Sequence, residues 1–339
     1  SSSSSSSSQR ITIPSSASRL VIVSGASRGV GVGICRQVLQ TDPSAHVLVT
    51  ARQYQQAQEV CVGLNTATAD NDDDDDDDDA VILPRAHPFS LDVTDETSCE
   101  SLVKALETSS NFDNTLPLVL VCNAGIALDL PWFPTPWPPE AASETLEVNL
   151  YGSQRLTEKC LPLLQKSSRD GRVIFISSGG GRNNLKRMSE TRRRELLLLR
   201  QDMTWNDIDK LAQEFVAEYE AAALVGIANE ESENTQQQQQ LPHLSPTGFW
   251  LQSYGFSKAA MGLYCQLLHR LYYPKLISVA CSPGFIATDM SKTYANYDDL
   301  KSIDEGGKIV AWLATTEASN LKGGTFYTPD QESVSWVAD

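Results

Sequence analysis

Short apolar runs alternate along this chain with longer amphipathic segments, and this alternation limits the choice of fold more than any other feature. The runs are rich in β-branched residues and almost continuously hydrophobic, which is typical of parallel strands covered on both faces. They occupy residues 20–24, 46–50, 118–122, 172–177 and 276–281. The segments between them predict helices over residues 29–40, 95–107, 139–164, 255–273 and 304–314. Repeated strand–helix–strand units require right-handed crossovers and predict an α/β fold with a doubly wound parallel sheet.

Three homopolymer tracts interrupt the pattern, with serine at residues 1–8, aspartate at 72–79 and glutamine at 236–240. Such tracts cannot supply packed side chains. We therefore expect a disordered serine-rich tail over residues 1–18 and low-complexity loops over residues 65–80 and 229–241. Residues 19–339 are predicted to form a single domain.

Residues 182–250 contain no strand pattern but two helical stretches. The second begins with Thr204 and Asp207 in the arrangement of a capping box. This region predicts a helical insertion in the parent fold. Two interpretations stay open: a structural flap without chemistry, or an element that shapes a substrate pocket.

The charge pattern argues against several classes of partner. The net charge is -16, half of it carried by the aspartate tract, and no basic stripe offsets the repulsion from phosphate. Nucleic acid and anionic membrane surfaces are therefore not expected partners. No apolar run approaches the roughly 18 residues that span a bilayer. The four histidines form no pair at ligand spacing, so we predict no metal site.

The cysteines and the start of the chain bear on location. Seven scattered cysteines without a CxxC pair are typical of reduced thiols in an intracellular protein. The first residue is serine, and the acid-free, serine-rich stretch before Asp42 also resembles an organelle transit peptide. We expect a trimmed cytoplasmic protein, with organelle targeting left open.

A glycine-rich loop follows the first predicted strand and opens the first predicted helix. Its sequence is Ser24-Gly25-Ala26-Ser27-Arg28-Gly29-Val30-Gly31. Glycines allow backbone amides to approach a pyrophosphate, and a helix N-terminus adds free N–H groups and a positive dipole end. The loop therefore predicts a dinucleotide site.

The residues after the second strand favour NADP(H) over NAD(H). An NAD site usually places an acid there for the ribose 2′-hydroxyl, whereas this chain has Thr50-Ala51-Arg52. Arg52 and Arg28 could clamp a 2′-phosphate through charge-assisted hydrogen bonds. The alternative for either arginine is a side chain that only faces solvent.

Tyr254 and Lys258 have the YxxxK spacing, which places them one turn apart on the same helix face. A nearby ammonium favours the phenolate, so we expect the pKa of Tyr254 to lie below the usual value of about 10. Such a phenol can exchange protons near neutrality.

The order of motifs resembles the short-chain dehydrogenase/reductase family from residue 20 to the C-terminus. The shared motifs are the glycine loop, Asn123-Ala124-Gly125, Ser177-Ser178 and the YxxxK pair. The resemblance implies a Rossmann-type fold with Tyr254 as general acid and Ser178, rather than Ser177, bound to the carbonyl oxygen. It also implies that Lys258 lowers the tyrosine pKa and holds the nicotinamide ribose, while Asn149 supports a proton-relay water.

The same resemblance implies a set of cofactor contacts. Asp92 and Val93 would contact the adenine, and the loop with Thr288 would lie on the nicotinamide side. The full implied set is Gly25, Ser27, Arg28, Gly29, Gly31, Arg52, Asp92, Val93, Asn123, Ala124, Gly125, Tyr254, Lys258, Pro283, Gly284 and Thr288.

Within the family, the chain is most similar to the monomeric NADPH-dependent carbonyl reductases. Their inserted helices cover the surface that other members use to oligomerise, so a monomer is implied. The expected reaction is hydride transfer from NADPH to an aldehyde, ketone or quinone. Two alternatives stay open: a non-catalytic NADP(H)-binding sensor or scaffold, and an alcohol or steroid dehydrogenase working in the oxidative direction. Residues 131–137, rich in proline and tryptophan, either line an apolar substrate wall or form an ordinary packed loop.

Overall fold

The strands of the computed structural model form one eight-stranded sheet. The structure describes residues 11–69, 84–109, 116–133, 137–167, 171–199, 202–230 and 243–336. The strands are β1 (Arg19–Val23), β2 (Ala45–Ala51), β3 (Ala86–Ser90), β4 (Leu118–Cys122), β5 (Arg172–Ile176), β6 (Ile277–Cys281), β7 (Phe326–Tyr327) and β8 (Ser333–Val334). Their order is β3-β2-β1-β4-β5-β6-β7-β8, parallel throughout except for the antiparallel β7–β8 pair. The strands β1 to β3 extend the sheet toward one edge, and the strands from β4 onward extend it toward the other. This reversal of strand order between β1 and β4 confirms the predicted Rossmann-type doubly wound architecture.

Helices connect the strands and cover both faces of the sheet. They are α1 (Val30–Thr41), α2 (Tyr54–Ala69), α3 (Glu96–Glu107), α4 (Ala141–Leu146), α5 (Gly152–Lys166), α6 (Gly179–Arg187), α7 (Glu190–Leu199), α8 (Trp205–Glu230), α9 (Ser253–Tyr272) and α10 (Ile303–Thr315). A π-helical turn, Glu147–Tyr151, joins α4 to α5. Among the described residues, no helix combines the length and the apolar character needed to cross a membrane.

Alternate residues of each strand enter two separate cores. In β1, Leu20 and Ile22 pack with α3, α5 and α9, whereas Val21 and Val23 pack with α1 and α10 on the other face. All four of these side chains are fully buried. The near-continuous hydrophobicity of the strands follows from this two-sided burial.

The five predicted strands and five predicted helices are all present. The predicted helix over residues 139–164 is divided by the π turn, which lies at Asn149. The apolar runs did not locate the strands β3, β7 and β8, nor did the amphipathic segments include α2, whose sequence mixes small and polar residues. Thr204 and Asp207 form the predicted capping interaction, because the Thr204 amide and hydroxyl donate to the Asp207 carboxylate at 2.8 and 2.7 Å.

The predicted tail and loops need correction where the structure describes them. Residues 11–18 do not behave as a disordered tail, because Ile11 and Ile13 alternate into the core and are 2% and 0% exposed. Residues 65–69 belong to α2 rather than to a loop. The serine, aspartate and glutamine tracts lie outside the described residues.

The region predicted as an insertion contributes α7, α8 and most of α6 to the core that contains α9. Phe215 of α8 stacks on Phe256 of α9, with ring centroids 3.9 Å apart and planes nearly parallel at 1°. The ring of Trp205, at the start of α8, contacts Tyr151 and Tyr264 edge-on. The helices α6 and α8 therefore pack directly against the helix that carries the YxxxK pair.

Candidate active site

A cavity of about 1100 Å³ lies at the carboxyl ends of the central strands. The loops after β1, β2, β3, β4 and β5 contribute to its walls, together with α9 and the loop after β6. Every residue predicted to contact the cofactor lines this cavity, as do Ser178, Tyr254 and Lys258. Clefts at this edge of a doubly wound sheet are where such folds bind ligands.

The glycine loop forms one end of the cavity. Gly29 is the N-cap of α1, and no side chain caps this helix end. A Cβ on Gly31 would lie 2.7 Å from Ala26 Cα and 2.8 Å from Asn123 Nδ2, so only glycine fits there. The helix N-terminus therefore retains backbone donors and a positive dipole end that can hold an anion.

Asn123 and Ser24 tie the glycine loop to the loop after β4. The side-chain Nδ2 of Asn123 donates to the carbonyls of Ser24 and Gly25 at 2.8 and 3.0 Å. In return, the Ser24 hydroxyl oxygen accepts from the backbone amides of Asn123 and Ala124 at 2.9 and 3.0 Å. These hydrogen bonds fix the spacing of two loops that line the cavity.

The two predicted cationic residues lie at the rim of the cavity and are exposed. Arg28 Nη1 lies 2.8 Å from Asp289 Oδ2, and the two side chains are 76% and 63% exposed. Arg52 lies beside Ser90, whose hydroxyl donates to the Arg52 carbonyl at 3.0 Å. Arg28 thus has a competing carboxylate partner that its sequence position does not reveal.

Tyr254 and Lys258 face the cavity from the first two turns of α9. Lys258 Nζ donates to the Ile176 carbonyl at 2.9 Å and lies 5.5 Å from the centroid of the Tyr254 ring. Burial lowers the pKa of Lys258 to about 8. Burial raises the pKa of Tyr254, and the nearby Ser178 side chain opposes this shift. The predicted lowering of the Tyr254 pKa is therefore wrong for this structure, because burial of the phenol raises its pKa by more than Ser178 lowers it.

Ser177 and Ser178 have different surroundings. Ser177 is buried, and its hydroxyl donates to the Lys258 carbonyl at 3.1 Å. Ser178 caps α6, accepts a hydrogen bond from the Gly180 amide at 3.0 Å, and lies close enough to Tyr254 to lower the pKa of its phenol. Of the two serines, only Ser178 acts on the phenol in this way.

Asn149 is the one predicted catalytic residue that does not line the cavity. Its side chain is fully buried and exchanges two hydrogen bonds with the backbone of Ile126, at 2.8 and 2.9 Å. Its Nδ2 also donates to Ser257 Oγ at 2.9 Å. A Cβ on Gly125 would lie 3.1 Å from Asn149 Oδ1 and 3.4 Å from Lys258 Nζ, so Asn149 lies directly behind the cavity wall.

The remaining predicted contacts lie in the loops after β3 and β6, which both line the cavity. Asp92 accepts hydrogen bonds from the amide and hydroxyl of Thr94, at 2.9 and 2.7 Å, which shapes the loop after β3. Val93, Pro283, Gly284 and Thr288 line the cavity as well. The structure brings all of them together with the glycine loop.

An aromatic cluster borders the cavity beside the loop after β6. The ring of Trp132 lies 5.4 Å from those of both Phe285 and Tyr294, and the latter two rings are 4.7 Å apart. Trp132 Nε1 donates to the Met290 carbonyl at 3.1 Å. Trp132, Phe285 and Met290 also line the cavity. Of the two interpretations of residues 131–137, the position of Trp132 favours the apolar wall.

Asp129 is a buried residue near the site that the sequence patterns missed. It is 0% exposed and accepts hydrogen bonds from the backbone amides of Ser253 and Tyr254. The available signal was a single acid within the apolar stretch Ile126-Ala127-Leu128-Asp129-Leu130. An isolated acid in such a stretch is either exposed or hydrogen-bonded, and spacing alone cannot separate the two.

Comparisons with known proteins identify the family and the fold of this chain. The family model described as short chain dehydrogenase matches residues 19–190. Carbonyl reductase (NADPH) 3 of Rattus norvegicus is 26% identical over 305 residues, covering 88% of this chain and 92% of that protein. The (+)-neomenthol dehydrogenase of Arabidopsis thaliana is 25% identical over 333 residues, covering 93% and 97%.

A solved structure shares the fold. Salutaridine reductase from Papaver somniferum superposes with a TM-score of 0.67 at 22% identity, covering 91% of this chain and 99% of its own. The family match covers half of the chain and contains the glycine loop and the loop after β4. The chain therefore belongs to the short-chain dehydrogenase family of oxidoreductases.

Proposed function

We propose that this protein is an NADPH-dependent carbonyl reductase that acts on an aldehyde, ketone or quinone. The observation that carries the proposal is the convergence of Tyr254, Lys258 and Ser178 on the cavity that the glycine loop closes at its other end. The relative from Rattus norvegicus is named for NADPH and for carbonyl reduction. This reaction uses each of the groups that the cavity assembles.

The residues present fit NADP(H). The crowded Gly31 position and the uncapped end of α1 suit a pyrophosphate. Arg28 and Arg52 lie at the rim of the same cavity and suit a 2′-phosphate. The side chain after β2 is a cation rather than the acid that a 2′-hydroxyl would require.

Tyr254 acts as general acid in this proposal. Bound NADPH supplies the hydride that reaches the carbonyl carbon. The Tyr254 hydroxyl gives its proton to the carbonyl oxygen, which becomes the alcohol oxygen, and the tyrosine is left as phenolate. A raised pKa keeps the phenol protonated at neutral pH, which is the form that donates. The Ser178 hydroxyl donates a hydrogen bond to the same oxygen and polarises the carbonyl.

Lys258 and Asn149 support this proton transfer. A Lys258 ammonium stabilises the phenolate once it forms, and its anchoring on the Ile176 carbonyl holds it beside the ring. Both Asn149 amide hydrogens are already donated, to Ile126 and Ser257. One lone pair of Asn149 Oδ1 remains for the relay water that would return a proton to Tyr254.

The aromatic cluster indicates the class of substrate. Trp132 and Phe285 offer ring faces and edges at the cavity, and such surfaces favour flat apolar compounds. We therefore expect quinones and aromatic or cyclic ketones to be better substrates than short aliphatic aldehydes.

We further propose that the protein is monomeric and cytoplasmic. The start of α8 covers the π turn and α9 through Trp205, and the Tyr151 hydroxyl of the π turn donates to Asp209 at 2.7 Å. A surface covered in this way is not free to pair with a second copy. All seven cysteines are buried and free, which suits a reducing compartment.

Alcohol oxidation is the second candidate function. The (+)-neomenthol dehydrogenase relative is named for the reverse direction on a cyclic alcohol. The same residues would serve, with the Tyr254 phenolate accepting the proton that the alcohol loses. Assays with NADP⁺ and cyclic alcohols decide between the two directions, and a scaffold without turnover would be inactive in both.

The direct test replaces Tyr254 by Phe and follows loss of reduced-nicotinamide absorbance with a panel of quinones, cyclic ketones, steroids and aldehydes. Tyr254→Phe should abolish turnover while the Kd for NADPH stays within about twofold, because only the proton donor is removed. Tyr273→Phe is the matched control, since Tyr273 is an exposed tyrosine just after the end of α9. Full activity in Tyr254→Phe, or an inactive wild-type protein across the panel, would refute the proposal.

A further inference from the structure

Asp129 occupies an unusual position between the loop after β4 and the start of α9. Its carboxylate is completely buried, and the amides of Ser253 and Tyr254 donate to its two oxygens, the second at 3.2 Å. Gln252 Nε2 lies 3.4 Å from one of these oxygens. A buried carboxylate is costly unless its oxygens are well satisfied, and here backbone donors of the helix that carries Tyr254 satisfy them.

The start of α9 divides its free amides between two residues. Gln252, the N-cap, takes Gly255 N with its side chain at 2.7 Å and Phe256 N with its carbonyl at 3.0 Å. Ser253 N and Tyr254 N are left, and Asp129 takes both. The adjacent residue Gln252 therefore caps two of the four free amides at the start of α9. Asp129, from a loop distant in sequence, caps the other two, which include the amide of Tyr254.

Asp129 also connects α9 to the wall of the cavity. It lies four residues after Gly125, in the loop that contacts the glycine loop through Asn123. A shift of this carboxylate would move the Tyr254 backbone relative to Asn123 and Gly125. The Asp129 side chain therefore joins the backbone of the proton donor directly to the loop after β4.

The inserted helix α8 approaches the same carboxylate. The Tyr219 hydroxyl is buried close to Asp129 but does not reach hydrogen-bonding geometry with any described residue. Burial and the nearby Asp129 charge both raise the pKa of Tyr219. Asp129 therefore lies where three parts of the fold meet: the loop after β4, α8 and the start of α9.

We propose that Asp129 is a positioning residue for Tyr254, which holds the phenol at the distance that proton transfer to the substrate requires. This inference rests on the proposed function, because it concerns the step in which Tyr254 donates its proton. A misplacement of about 1 Å in a reacting group can cost about a hundredfold in rate. Loss of this anchor should consequently slow chemistry more than it weakens cofactor binding.

The test is Asp129→Asn in the full chain, saturated with NADPH and mixed with excess quinone in a stopped-flow instrument. Asparagine keeps one acceptor oxygen but turns an N–H group toward the other amide, so either Ser253 N or Tyr254 N loses its partner. We expect the single-turnover rate constant to fall at least tenfold, with the Kd for NADPH within about twofold of wild type. NADPH deuterated at the transferred position should slow the observed step, which identifies it as hydride transfer.

A merely structural role would give a different result. If Asp129 only stabilised the fold, its loss would lower the fraction of protein that binds NADPH and therefore the amplitude of the single-turnover signal. The rate constant of the molecules that remain folded would be unchanged. That outcome would overturn the proposal. Asp207→Asn is the matched control, because Asp207 is a half-buried acid outside the cavity whose carboxylate caps the start of α8, and its rate constant should equal that of wild type.

A second variant covers the case in which Asp129→Asn does not fold. Ser253→Pro removes one of the two amide donors, and proline is well tolerated at the first position of a helix. The rate constant should fall at least threefold, and an unchanged value would overturn the proposal. Failure of the proposed function would look different, since the wild-type protein itself would then show no hydride transfer.

Discussion

Arg28 offers a sharp test of how the cavity selects its cofactor. Its guanidinium pairs with Asp289 at 2.8 Å, but both side chains are largely exposed, at 76% and 63%. An exposed pair of this kind contributes about 0–1 kcal/mol. Arg28→Ala should therefore leave the free energy of unfolding almost unchanged, while it removes a cation from the rim of the cavity.

The expected effect on NADPH binding follows from the competing partner. A charge-assisted hydrogen bond to the 2′-phosphate is worth about 1.5–3 kcal/mol, and breaking the contact with Asp289 costs up to about 1 kcal/mol. The net contribution of Arg28 is then about 0.5–3 kcal/mol, which corresponds to an increase in Kd of about 2- to 150-fold. Asp289→Asn should have the opposite effect and tighten NADPH by up to about fivefold.

Fluorescence titration of the purified variants with NADPH and with NADH measures these changes. Arg28→Ala should raise the Kd for NADPH while that for NADH stays within about twofold, because NADH lacks the 2′-phosphate. Arg194→Ala is a suitable control, since Arg194 is an exposed arginine paired with Glu190 on α7 and does not line the cavity. If the Kd values for NADPH and NADH rise equally, or if neither rises, Arg28 does not bind the 2′-phosphate.

Three further predictions concern packing, substrate contact and pH. Phe215→Ala removes a fully buried ring stacked on Phe256 and should lower the free energy of unfolding by about 3–5 kcal/mol in urea titrations; a loss below about 1 kcal/mol would contradict this packing. Trp132→Ala should raise KM for aromatic carbonyls by about 2- to 12-fold and leave KM for short aliphatic aldehydes unchanged, and an equal change for both would exclude ring contact. His46 Nδ1 and His87 Nε2 lie 2.9 Å apart, and burial lowers the pKa of both imidazoles to about 4. Unfolding then takes up protons below about pH 6.5, so urea midpoints should fall from pH 7 toward pH 4, and His87→Phe should reduce that slope.

Much of the fold could be predicted because its signals are local. Strands buried on both faces must be apolar throughout, so the runs at β1, β2, β4, β5 and β6 stand out in the sequence. The glycine loop and the YxxxK pair also depend only on short spacings. Because parallel strands bring their carboxyl ends to one edge of a sheet, motifs that follow these strands meet at that edge when the sheet forms.

Elements with weak local patterns were missed. The helix α2 mixes small and polar residues, and β7 and β8 have two residues each, too few to show a period. The serine-rich start of the chain concealed Ile11 and Ile13, whose burial depends on the core that other segments build.

The partners of charged groups were decided by tertiary structure. Sequence places Arg28 at the cofactor, but only the folded loop after β6 brings Asp289 to it. The two histidines are 41 residues apart and meet because β2 and β3 are neighbours in register. Asp129 reaches the amide of Tyr254 across 125 residues. Residue type and local spacing thus determined which chemistry this chain can perform, whereas long-range packing decided which charges are paired, which pKa values shift, and what holds the proton donor in place.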